Sequence, residues 1–186
     1  MGTAVSGETN FHQSWSLASE FDWGTIDAAF AKADADLMML VRRAALRAAR
    51  RTVGLSHLLA ALAFDSVASA LLARELHDSW KHFHTLRSYL EVVEYSPAIA
   101  DAELDQHRRA APADAIERGD EAAVRLTHLL DDAARDSAVF GLIRARAADP
   151  VLARMADRIA SDRQQHSLAL ARYVSACTPV DHDRTA

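Results

Sequence analysis

Val53-Gly-Leu-Ser-His-Leu-Leu59 and Val124-Arg-Leu-Thr-His-Leu-Leu130 repeat each other 71 positions apart, without a gap. The correspondence continues, with Asp65-Ser66 against Asp136-Ser137, Leu71 against Leu142 and Asp78 against Asp149. A fixed internal offset constrains architecture before any motif is read, because it marks one supersecondary unit used twice. No segment alternates apolar and polar residues as a strand does, and apolar residues recur three or four apart. The sequence therefore predicts an all-α domain of two pseudo-symmetric four-helix repeats. The repeats are expected over residues 23–96 and 97–177, between flexible tails at 1–22 and 178–186.

Within the first repeat, Ile26, Ala29, Phe30, Ala33, Leu37, Leu40, Val41, Ala44 and Ala48 form one stripe. Asp27, Asp34 and Asp36 lie early in it and Arg42, Arg43, Arg47, Arg50 and Arg51 late, an order that complements a helix dipole. Gly54 is read as the stop. A short helix over about 56–64 follows, then one capped by Asp65-Ser66 and carried by Val67, Leu71, Leu72 and Leu76. Trp80, Phe83, Leu86, Leu90 and Val93 carry a fourth. Ser96-Pro97 marks the break between repeats. The second repeat begins with a helix over 99–118, kinked or split at Pro112. Short helices over 125–134 and 137–147 come next, and Asp149-Pro150 opens the last. Leu58, Leu59, Leu62, Leu71 and Leu72 are expected in the core, as are Leu129, Leu130, Leu142 and Ile143.

Composition narrows the function. A formal net charge of -5 and the absence of a basic or aromatic stripe disfavour nucleic acid as a partner. No apolar run is long enough to cross a bilayer. Residues 1–6 match a loose myristoylation pattern, and no signal peptide follows. The lone Cys177 excludes an internal disulfide and fits a reducing, cytoplasmic setting. The basic residues are almost all Arg in an Ala-rich chain, a bias expected of a GC-rich bacterial coding sequence.

The stretch Val53-Gly-Leu-Ser-His-Leu-Leu-Ala-Ala-Leu, followed by Ser66-Val-Ala-Ser-Ala-Leu-Leu-Ala-Arg-Glu-Leu, resembles the amino-terminal domain of Clp ATPases. That domain is a tandem repeat of about four helices per copy, and the resemblance covers roughly residues 25–165. It implies a free-standing module that recognises substrates or adaptors of an ATP-dependent unfoldase, without catalysis or cofactor of its own. Some members bind phosphorylated arginine through a Glu before the His of each copy. Ser56 and Thr127 stand at those positions, and a hydroxyl cannot replace the carboxylate that pairs with a guanidinium. The groove near Ser56 and Thr127 is therefore expected to bind a protein segment.

The histidines admit a second reading. His57 and His128 occupy equivalent places in the two copies, and their expected role is structural, holding a turn to backbone. His57, His107 and His128 together resemble, in loose spacing, the metal ligands of the helical effector domain of GntR-type regulators. That resemblance implies a ligand- or metal-sensing domain. His82 and His84 are expected at the surface. His166 follows Asp162 by one turn, as a pH-sensitive pair would. A ferritin-like metal enzyme needs inward Glu residues and a Glu-x-x-His pair, and no Glu in the chain has His three residues later.

Overall fold

The computed structural model describes residues 15–110 and 120–177. All regular structure among them is helical, and no described helix is long and apolar enough to cross a membrane. Three short helical pieces lead in: α1 (Leu17–Glu20), a 3-10 turn (Trp23–Thr25) and α2 (Ala28–Ala31). Four long helices follow, α3 (Ala35–Ala61), α4 (Ser66–Val92), α6 (Asp120–Arg146) and α7 (Pro150–Cys177), with the short α5 (Asp101–Arg109) between the second and third.

The starts obey local chemistry. Asp34 accepts from the Leu37 amide, Asp65 from Val67 and Ala68, and Asp149 from Val151 and Leu152. Each carboxylate satisfies donors that a first helical turn leaves unpaired. The expected caps at Asp65-Ser66 and Asp149-Pro150 are thus in place, and the Ser96–Pro97 break is a cis peptide.

The interiors differ from the sequence reading. Gly54 does not stop α3, because Leu55 and Leu58 beyond it are buried. Their burial outweighs the roughly 1 kcal/mol that a mid-helix glycine costs. The pieces expected over 66–76 and 80–93 are one helix, and so are those over 125–134 and 137–147. As a result Asp65-Ser66 caps α4, whereas Asp136-Ser137 lies in the middle of α6. The equivalent segments have different helix boundaries, so the offset in sequence is not an offset in structure. The expected kink or split at Pro112 lies outside the described residues, as do residues 178–186 and most of the amino-terminal tail. Its last residues pack on the bundle, with Phe21 in the core.

The long helices form a ring in which α3 touches α4, α4 touches α7, α7 touches α6 and α6 touches α3. Each neighbour pair is antiparallel. Arg146 at the end of α6 forks onto Asp34 at the start of α3, and Tyr173 near the end of α7 donates to Asp65 at the start of α4. Two hairpins, α3–α4 and α6–α7, are therefore joined by one connection that climbs the length of the bundle. It rises along α3, where Arg42 reaches the Pro97 carbonyl and Glu103, and Arg50 reaches the Ala110 carbonyl.

The core has two parts. The larger gathers Met38, Val41, Ala45, Phe83, Leu86, Ile143, Leu152, Met155 and Ile159. The smaller, at the other end, holds Leu55, Leu58, Leu72, Leu126 and Leu170. Of the expected core, Leu58, Leu72 and Ile143 are buried, and Leu59, Leu62, Leu71, Leu129 and Leu130 are half-buried. Leu142 is 49% exposed, since the inward stripe of α6 runs through Leu126, Ala133, Phe140 and Ile143.

Leu72→Ala should cost about 2–5 kcal/mol, while Leu142→Ala should stay within about 0.5 kcal/mol of wild type. Gly54→Ala meets no atom within 4 Å and should stabilise by about 0.5–1 kcal/mol. Urea denaturation checks all three. A destabilised Gly54→Ala would show that α3 is interrupted there.

Candidate functional site

Between the two cores the inward stripes of all four long helices turn polar at one level. Arg51 comes from α3, Glu75 from α4, Asp136 from α6 and Arg163 from α7, and each side chain is at most 8% exposed. Arg51 donates to Glu75 over 2.5 and 2.9 Å. Arg163 reaches the same Glu75 oxygen at 3.5 Å and the Ser79 hydroxyl at 3.2 Å. Asp136 lies 3.5 Å from Arg51 and 3.8 Å from Arg163. The result is a closed ring of alternating charge with one member from each helix. Burial pushes the Glu75 carboxyl up, but the charges of Arg51 and then Arg163 outweigh it and hold it below the usual carboxylate range. Burial, aided by the nearby Arg51, brings Arg163 down to about 10.

A second cluster adjoins this ring on α4 and α7. His166 Nε2 lies 2.8 Å from Asp78, which also accepts from Lys81 at 2.6 Å. Burial opposes ionisation of Asp78, yet those two bonds keep its carboxyl far below its ordinary value. One turn along, Asp162 accepts from His82 Nε2 and Trp15 Nε1, both at 2.9 Å. Trp15 stacks on His82, and Lys81 Nζ sits 4.3 Å from the Trp15 ring centre. His82 is fully buried, and burial brings it down to about 4 despite the Asp162 bond. Its imidazole is therefore neutral at pH 7, with Nε2 carrying the proton.

Outside the ring, α3 and α6 part to leave a cavity of about 590 Å³. Among the described residues Arg47, Arg50, Arg51, Arg125 and His128 stand around it with a single carboxylate, Asp132. Leu55, Leu58, Leu129 and Val124 form its apolar side, and Gly54 leaves room between them. Arg51 belongs to both ring and cavity, so the buried carboxylates fix one wall of the pocket. The volume falls in the range of small-molecule sites, roughly 300–1,000 Å³.

The residues singled out in sequence are placed unevenly. His128 lines the cavity, but Ser56, Thr127 and His57 do not. Ser56 and Thr127 are exposed, and the Ser56 hydroxyl donates to the Thr52 carbonyl one turn back. His57 and His128 lie within continuous helices, so neither holds a turn. His57, His107 and His128 are not brought together, and no described group of three His, Cys, Asp or Glu residues could hold a metal. His82 is buried rather than at the surface, because it shares the inward stripe of α4 with Leu72, Glu75, Ser79 and Leu86. The Asp162–His166 pairing gives way to two pairs across helices, His82–Asp162 and Asp78–His166. The ring itself escaped the sequence reading. Its one signal was polar residues at inward positions, as in Ile159–Arg163–His166–Leu170.

Comparison with protein-family models, curated proteins and solved structures finds no match for this chain.

Removing one member of a buried pair leaves the other charge uncompensated. Glu75→Gln should destabilise by about 3–5 kcal/mol in urea denaturation. Acid should act in two stages. From pH 6.5 towards 4 the unfolded chain protonates His82, which the folded chain keeps neutral, so stability falls as pH falls. Below about 4 the unfolded carboxylates protonate first, and the contributions of Glu75, Asp78 and Asp162 are lost in turn. Between pH 7 and 5, His82 should account for about 2 kcal/mol of lost stability. His82→Gln, which keeps a donor to Asp162, should flatten that first stage and leave the second.

Proposed function

We propose that this chain is a binding protein for a small organic acid, held in the cavity between α3 and α6. The supporting observation is the lining, a row of arginines over an apolar side on a chain of formal net charge -5. Part of that positive charge is answered inside the protein: Arg47 pairs with Asp132 and Asp136, and Arg51 with Glu75 and Asp136. Among the described residues Arg50 bonds a neutral carbonyl, and the lining holds four arginines to one carboxylate. An anionic head would meet guanidinium donors, whose planar fork suits a carboxylate. An apolar body would lie along Leu55, Leu58 and Leu129. This favours the ligand-sensing reading of the sequence in its organic-ligand form, without the metal.

The adaptor reading, a module of the Clp amino-terminal type serving an unfoldase, is supported by the sequence offset and by the exposure of Ser56 and Thr127. The differing helix boundaries at Asp65-Ser66 and Asp136-Ser137 weigh against a duplicated unit, so the cavity carries the stronger proposal.

Octanoate and octanol, titrated by calorimetry, separate head from tail. Octanoate should bind saturably and octanol far more weakly. Arg50→Ala and Arg125→Ala should each weaken octanoate by about tenfold to a hundredfold, the value of one charge-assisted hydrogen bond of roughly 1.5–3 kcal/mol. Equal binding of acid and alcohol, or none of either, would overturn the reading.

A further inference from the structure

Bundles of two helical hairpins joined by one long crossover include the carboxylate proteins that hold two metal ions at mid-bundle. There, two helices each contribute a Glu, and the other two each contribute a Glu-x-x-His pair. The charged layer of this chain has the same distribution. Single inward residues come from α3 and α6, as Arg51 and Asp136. Pairs three residues apart come from α4 and α7, as Glu75 with Asp78 and Arg163 with His166. The residues do not fit a metal, because two of the positions carry fixed positive charge and no described group of ligands could hold an ion.

We infer that this layer is a two-metal carboxylate site in which the guanidinium groups of Arg51 and Arg163 take the place of the two cations. The connectivity carries the inference. Glu75 contacts both arginines and Asp136 contacts both arginines. The two carboxylates thus bridge two cationic groups, as they would bridge two ions. An arginine is charged at any working pH and cannot dissociate. The exchange converts a loadable centre into a permanent structural one, and it turns Arg51 towards the cavity between α3 and α6. The inference does not depend on what that cavity binds.

The test restores the ligands. Untagged full-length wild type, Arg163→Glu and the double variant Arg51→Glu, Arg163→Glu are stripped of metal and titrated with Co²⁺, followed by visible absorption and calorimetry. Wild type should show no saturable uptake. The double variant should take up two ions per chain, at least about a hundredfold tighter than wild type. Without metal it should be destabilised by its clustered carboxylates, and Co²⁺ should raise its melting temperature. Arg163→Glu keeps Arg51 between Glu75 and Asp136 and should take up one ion. Uptake by wild type equal to that of the variants would overturn the inference. So would a double variant that folds without taking up Co²⁺. A double variant that stays unfolded with Co²⁺ while Arg163→Glu takes up none would overturn it equally.

Discussion

Four charges of alternating sign, one from each long helix, set the register of this bundle. Apolar stripes alone leave helices free to slide by a turn at modest cost, because leucine packs against leucine at many offsets. A buried guanidinium has no such freedom. If α7 slid by one turn, Arg163 would leave Glu75 and Asp136 and lie unpaired in a region of low polarity, while the two carboxylates would share Arg51 alone. The ring is a costly element taken alone, since removing charges from water opposes folding. What it supplies is discrimination between the native alignment and its neighbours. The hairpins, the crossover and the cavity between α3 and α6 all presuppose that alignment.

The ring also links the fold to the proposed site. Arg51 faces Glu75 on one side and the cavity on the other, so its position is fixed from behind before any ligand arrives. A preorganised donor loses less freedom on binding than a mobile surface arginine does. Arg50, Arg125 and His128 line the same cavity without belonging to the ring.

The helical nature of the chain was legible in its periodicity, and so were the helix starts at Asp65 and Asp149, because capping is local chemistry. Helix continuity was not. Gly54 reads as a stop, and only the burial of Leu55 and Leu58 by partner helices carries α3 past it. Leu142 matches Leu71 in the sequence offset yet faces outward, because its place is set by the stripe of α6 and not by its resemblance to another leucine. The site was the least legible part. Arg51 and Arg163 stand in an arginine-rich chain where most arginines are solvated, and only a place on an inward stripe, as in Ile159–Arg163–His166–Leu170, sets such a residue apart. His82 and His166 each exchanged an expected setting for a carboxylate on another helix, a pairing that sequence spacing cannot express.

The charged layer divides the apolar interior unequally, and the division has a dynamic consequence. The larger core spans α3, α4, α6 and α7 with many fully buried residues, whereas the smaller rests on five buried leucines and half-buried neighbours such as Leu129 and Leu130. Local opening draws on the least buried contacts first. The end of the bundle that carries the cavity is therefore the end that can breathe while the rest stays closed. Amide protons near Leu55, Leu126 and Leu170 would exchange through such openings, and those near Met38, Leu86 and Met155 only through global unfolding. A ligand seated between α3 and α6 would act on the softer half, where a modest binding energy changes the population of open states the most.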